Sequence, residues 1–71
     1  MSRYSVIALL LAEQKRLAAV LDGLTPPESR EEISYIPRYR KTLADALAFY
    51  RNLDPEVYQA AVAEGTGERE G

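Results

Sequence analysis

A chain of 71 residues forms at most one small domain, and a domain of this size buries only about 60% of the surface that its unfolded chain exposes. The sequence contains no cysteine and no histidine, which excludes disulfides, thiolate metal sites and imidazole ligands as extra support for the core. The net charge of −2 argues against a general nucleic-acid binder and against attraction to an anionic membrane surface. We therefore expect burial against a partner subunit to supply the missing support, in a protein of the reducing cytoplasm.

The first predicted helix runs from about residue 3 to residue 22. Its larger apolar residues recur at helical spacing and share one stripe: Val6, Ile7, Leu10, Leu17, Leu21 and Leu24. Gly23 followed by Leu24 is the pair that a Schellman-type helix end uses. The apolar run at residues 6–12 is too short to span a bilayer and has no signal-peptide cleavage pattern, so we expect no membrane association.

The second predicted helix covers about residues 34–53, and its start has two competing signals. Thr25 and Glu28 match a capping box, and Ser29 and Glu32 repeat the same pattern four residues later. Pro37 removes a backbone hydrogen bond and clashes with the carbonyl four residues back, so we expect the helix to be broken or kinked near Pro37.

The third predicted helix is short, from about residue 55 to residue 64. Asp54 lies at its N-cap position, and Pro55 occupies its first helical position. The predicted fold is all-α: an antiparallel helical hairpin (about 3–22 and 34–53) with the third helix packed on it as a small bundle. Residues 1–64 form the single domain, and residues 65–71 have no apolar anchor and are predicted to be a disordered C-terminal tail.

The sequence favours a protein without catalytic activity, metal or cofactor. General acid–base or nucleophilic catalysis would have to rely on carboxylates, lysine, tyrosine or serine. The acidic residues lie mostly in the first turns of the helices, where they complement the helix dipole: Glu28, Glu31, Glu32, Asp54 and Glu56. No nucleotide-binding, nucleophile-elbow or calcium-loop motif is present.

Aromatic residues indicate an interface, because the chain has five tyrosines, one phenylalanine and no tryptophan. Tyrosine combines a large apolar ring with a hydroxyl that needs water or a partner. The candidate interface residues are Leu9, Val20, Tyr35, Tyr39, Phe49 and Tyr50. Leu9 and Val20 lie away from the main stripe of the first helix and need cover from the third helix or from a second subunit. The four aromatic residues lie in or beside the stripe of the second helix, where they belong either to an interface or to the rim of the core.

Arg38, Arg40 and Lys41 form a local basic cluster that alternates with tyrosines. Such residues contact single-stranded nucleic acid through phosphates and base stacking. A solvated helix surface is the simpler interpretation, because Lys41 has Asp45 one turn away.

The leading hypothesis is a non-catalytic interaction, adaptor or regulatory protein that self-associates, as a dimer, and binds a partner protein. The alternative is a small nucleic-acid-associated regulator that uses the basic cluster.

Overall fold

The computed structural model describes residues 2–67, and these form three α-helices and no strand. The helices are α1 (Arg3–Leu21), α2 (Arg30–Leu53) and α3 (Pro55–Gly67). Each helix contacts the other two. The prediction of a small all-α bundle is therefore confirmed.

Local hydrogen bonds define both ends of α1. The hydroxyl of Ser2 accepts the N–H of Ser5 at 3.1 Å, which caps the first turn. At the other end Gly23 has a φ of 76°, and the N–H of Leu24 reaches the carbonyl of Ala19 at 2.9 Å. A second bond joins the N–H of Gly23 to the carbonyl of Val20 at 3.1 Å. This is the predicted Schellman end, which needs a left-handed residue that glycine supplies without strain.

The helix α2 begins at Arg30, four residues before the predicted start, and it continues through Pro37. Ser29 occupies the N-cap position of the second start signal, but its side chain makes no capping hydrogen bond, so the helix starts there without the predicted capping box. The expected break at Pro37 is absent. Pro37 and Ile33 both lie on the exposed side of α2, where water can replace the lost hydrogen bond, while the opposite side packs in the core.

The helix α3 starts as predicted, since the carboxylate of Asp54 accepts the N–H of Val57 at 3.4 Å. It is described as far as Gly67, three residues beyond the predicted end. The disordered tail predicted for residues 65–71 stays a prediction, because residues 68–71 lie outside the described part of the chain.

The core consists of two clusters, one at each end of the α1–α2 hairpin. The first cluster joins α1 and α2 through Leu17, Val20, Ile36 and Leu43. The second contains one residue from each helix, namely Ile7, Leu47 and Ala61. The early part of α1 thus packs on the late part of α2 and the late part on the early part, which is the predicted antiparallel arrangement.

Candidate interaction surface and the buried ion-pair network

Arg16 on α1 lies between two carboxylates and donates two hydrogen bonds to each of them. Its Nε and Nη2 atoms donate to Oε1 and Oε2 of Glu13 at 2.8 and 3.0 Å. Its Nη1 and Nη2 atoms donate to Oε1 and Oε2 of Glu32 on α2 at 3.1 and 2.6 Å. The side chain of Glu32 is only 1% exposed. The planar guanidinium therefore holds a buried carboxylate of α2 against α1, in the fork geometry that Arg makes with carboxylates.

Two further hydrogen bonds complete this network. The Tyr39 hydroxyl donates to Oε2 of Glu13 at 2.9 Å, and the backbone N–H of Glu28 donates to Oε1 of Glu32 at 2.9 Å. Throughout the described residues, every buried side-chain nitrogen or oxygen atom has a hydrogen-bond partner. The network therefore leaves no free buried polar atom for a ligand.

The charges of the network are held in one protonation state. Hydrogen bonds from Arg16 keep the pKa of Glu13 and the pKa of Glu32 below their ordinary values, and the N–H of Glu28 adds to the effect on Glu32. The hydrogen bond that Tyr39 donates to Glu13 raises the pKa of the tyrosine. None of these groups is poised to exchange a proton near neutral pH, which general acid–base catalysis requires. The network fits a structural role.

This network was not predicted from the sequence, because Glu32 was expected to lie in the first turn of a helix and to complement the helix dipole. The signal was present in the spacing. Glu32 lies four residues before Ile36 and seven before Tyr39, so it continues the buried stripe of α2. A carboxylate in an apolar stripe needs a cation from a neighbouring helix.

The structure separates the six candidate interface residues into three groups. Leu9, Tyr35 and Phe49 are exposed, with exposed fractions of 57%, 45% and 60%. Tyr39 and Tyr50 are half-buried against the two core clusters. Val20 is buried against α2, so the expectation that it needs cover from α3 or from a second subunit is wrong. The reason is that α1 packs on two helices at once, which makes its buried surface wider than a single stripe.

One side of α2 carries a continuous row of side chains beside the core. We call this row the outer face, and it consists of Tyr35, Tyr39, Thr42, Ala46, Phe49 and Leu53. Successive members alternate between spacings of four and three residues, so they follow one line along the helix. Leu53 is 49% exposed, and together with Tyr35 and Phe49 it leaves large apolar surface in water at both ends of the row.

The exposed rings of the outer face are supported by neighbouring rings. Tyr35 meets Tyr39 edge to face with ring centroids 6.0 Å apart, and Phe49 meets Tyr50 in the same way at 5.3 Å. In each pair one ring is exposed and the other is half-buried. This support limits the rotamers of the exposed rings, so less side-chain entropy is lost when a partner covers them.

Leu9 on α1 borders the outer face. Glu13, one turn after Leu9 on the same side of α1, bonds Tyr39. Because α1 and α2 are antiparallel, moving back one turn on α1 corresponds to moving forward one turn on α2. Leu9 is therefore about level with residue 43, near the middle of the outer face.

The three basic residues of the second candidate site do not form one patch. Arg38, Arg40 and Lys41 are all exposed. Arg38 and Arg40, however, are about 160° apart around the helix, on opposite sides of α2. Lys41 pairs with Asp45 at 3.2 Å, as the sequence predicted. Arg38 and Lys41 are neighbours on one side of α2, and Arg40 lies on the other side from Arg38, so the three side chains do not line one strip of surface.

No group of three or more acidic side chains in the described residues is arranged to hold a metal ion. None of the helices in this part of the chain combines the length and the hydrophobicity that a bilayer-spanning helix needs. Comparison of the chain with models of protein families, with curated proteins and with solved structures finds no match.

Proposed function

We propose that the chain is a non-catalytic interaction protein that forms a homodimer through the outer face of α2. The observation that carries this proposal is the unbroken row of apolar and small side chains from Tyr35 to Leu53, exposed at both ends and supported by ring–ring contacts. Single exposed apolar residues are normal in soluble proteins, but contiguous ones mark interaction sites.

The small size of the core supports the proposal. In the described residues only seven hydrophobic side chains are buried, and seven large hydrophobic side chains are exposed. Four of the exposed ones lie on the outer face or border it: Leu9, Tyr35, Phe49 and Leu53. The other three, Leu21, Leu24 and Ile33, lie near the turn between α1 and α2. A second copy would bury the larger group and supply the support that so small a core needs.

A second copy is favoured as the occupant because the outer face is self-complementary in chemistry. It carries no charge of its own, so two copies meet without desolvating an ion. The alternating spacing of four and three residues is the pattern by which two like helices pack side chains into each other's gaps. In a dimer with two-fold symmetry both subunits contribute the same patch, so the outer face would pack against its own copy.

The mass of the protein in solution tests the proposal. We expect sedimentation equilibrium at micromolar concentration to give twice the chain mass of 7.9 kDa. Tyr35→Ala combined with Phe49→Ala should weaken the dimer at least tenfold, because exposed aromatic anchors dominate interfaces of this kind. Leu24→Ala is the matched control, since Leu24 is also exposed but lies outside the outer face, and it should leave the dissociation constant unchanged.

Two results would contradict the proposal: a monomer throughout the micromolar range, or equal weakening by the control and by the double variant. Binding of a further, different partner protein stays a prediction from the sequence. The nucleic-acid alternative is not proposed, because Arg40 lies on the opposite side of α2 from Arg38 and because Lys41 is paired with Asp45.

A further inference from the structure

The outer face is symmetric in the sizes of its side chains. Its order from the N-terminal end is two aromatic rings, two small residues, then an aromatic ring and a leucine. The small residues, Thr42 and Ala46, lie on either side of the midpoint at residue 44. Large side chains thus stand at both ends and small ones at the centre, where two helices are able to approach most closely.

We propose that two copies pair their α2 helices antiparallel, with the two-fold axis at residue 44, to form a four-helix core of two α1 and two α2 helices. This arrangement rests on the proposed dimer and specifies its geometry. Residues at equal distances from the midpoint then face each other. Tyr39 meets Phe49 of the second copy, Tyr35 meets its Leu53, and Thr42 meets its Ala46.

The position of Leu9 distinguishes the antiparallel arrangement from a parallel one. Leu9 lies level with the midpoint, on the side of the outer face where α1 packs. In the antiparallel dimer both α1 helices fall on the same side of the α2 pair, so Leu9 meets its own copy at the axis and is covered. In a parallel dimer the two α1 helices fall on opposite sides, and Leu9, which is 57% exposed, stays in water. Antiparallel helix dipoles add a smaller preference in the same direction.

The arrangement brings two like charges together. Arg38, Asp45 and Asn52 border the outer face on the side away from α1. Asp45 lies one residue from the midpoint, so it stands beside Asp45 of the second copy across the axis. Its own Lys41, at 3.2 Å, offsets part of this repulsion. Both side chains are largely exposed, so the repulsion is modest and falls further as salt rises.

The first test removes this repulsion. Asp45→Asn should lower the dimer dissociation constant by roughly two- to fivefold at low salt, with a smaller change at high salt. Asp22→Asn, an exposed carboxylate at the end of α1, is the matched control and should have no effect. Weaker dimerisation of Asp45→Asn would overturn the arrangement, because it would mean that Asp45 pairs with a cation of the second copy, such as Arg38.

The second test uses the absence of cysteine from the chain. In Asp45→Cys, the new thiols of the two copies lie together at the axis, and a short bismaleimide should link them in high yield. In Arg38→Cys, the thiols lie about 20 Å apart along the paired helices and should not be linked. Linking of Arg38→Cys but not of Asp45→Cys, with sedimentation still showing a dimer, overturns the antiparallel arrangement and leaves self-association intact. Variants that sediment as monomers, together with a monomeric unsubstituted chain, overturn both.

Discussion

At the scale of single residues, the Arg16–Glu32 pair joins α1 to α2 through a buried carboxylate. Glu32 is almost fully removed from water, and removal of a carboxylate from water is costly unless cationic and N–H donors replace the water. Arg16 and the N–H of Glu28 supply these donors at 2.6, 3.1 and 2.9 Å. If Arg16 is lost, the carboxylate of Glu32 remains buried without a cation to compensate its charge.

Glu32→Gln should therefore lower the melting temperature by roughly 10 °C. The amide keeps the size of the side chain but removes its negative charge, and its NH₂ group faces the guanidinium of Arg16. Circular dichroism at 222 nm during heating measures the effect. Glu31→Gln is the matched control, because Glu31 is the exposed neighbour in the same helical turn, and its shift should stay within about 3 °C. Similar shifts in the two variants would show that the buried network contributes nothing specific.

The same network predicts how stability depends on pH. The pKa of Glu13 and the pKa of Glu32 are lowered in the folded protein. The two carboxylates therefore contribute fully to the free energy of unfolding at a pH above the ordinary pKa of 4.5, and this contribution is lost as the pH falls through their pKa values in the folded state. The difference in melting temperature between the wild type and Glu32→Gln should be full at about pH 7 and should shrink as the pH falls below 4.5. A difference that stays constant over this range would mean that shape, not charge, explains the effect of the substitution.

At the scale of the helix, α2 contains a proline in its interior and yet remains continuous. Pro37 lies in the third turn and faces water together with Ile33, whose carbonyl lacks the usual partner N–H. Burial of Ile36 and Leu43 on the opposite side keeps the helix continuous. The proline is thus a cost that packing on one side of α2 offsets.

Pro37→Ala should raise the stability by about 1–2 kcal/mol, since it restores the hydrogen bond to Ile33 but also frees the unfolded chain. Chemical denaturation followed by circular dichroism measures this gain. Pro55→Ala is the matched control, because Pro55 occupies the first position of α3, where the N–H has no helical partner. If both variants gain equally, the position of Pro37 inside the helix is not the cause.

The ends of the helices show which features are readable from sequence. Gly23 and Asp54 mark a helix end and a helix start through local hydrogen bonds, and both were predicted correctly. The start of α2 was not predicted correctly, because two similar start signals lie four residues apart in the sequence. The contact between Glu32 and Arg16, which are 16 residues apart in sequence, favours the later signal, and local patterns do not contain that contact. The burial of Leu9 and Val20 could not be distinguished from the sequence for the same reason. Only the packing of α2 buries Val20 and leaves Leu9 exposed.

At the scale of the whole molecule, burial is divided unevenly. Both core clusters lie between the helices, while both ends of the outer face and Leu9 are left exposed to water on one side of the hairpin. A chain of this size has little stability to spare, so covering that side would stabilise the fold itself. Under the proposed function, folding and dimerisation are linked.

This linkage predicts that the melting temperature depends on protein concentration. A tenfold dilution shifts the free energy of a folded dimer by about 1.4 kcal/mol, shared between two chains, and should lower the melting temperature by roughly 3–6 °C. The double variant Tyr35→Ala/Phe49→Ala should melt at one temperature at every concentration where it sediments as a monomer, because its subunits gain nothing from association there. Leu24→Ala should keep the concentration dependence of the wild type. A wild-type melting temperature that does not change with dilution, over a range where sedimentation shows the dimer dissociating, would mean that the outer face associates without stabilising the fold.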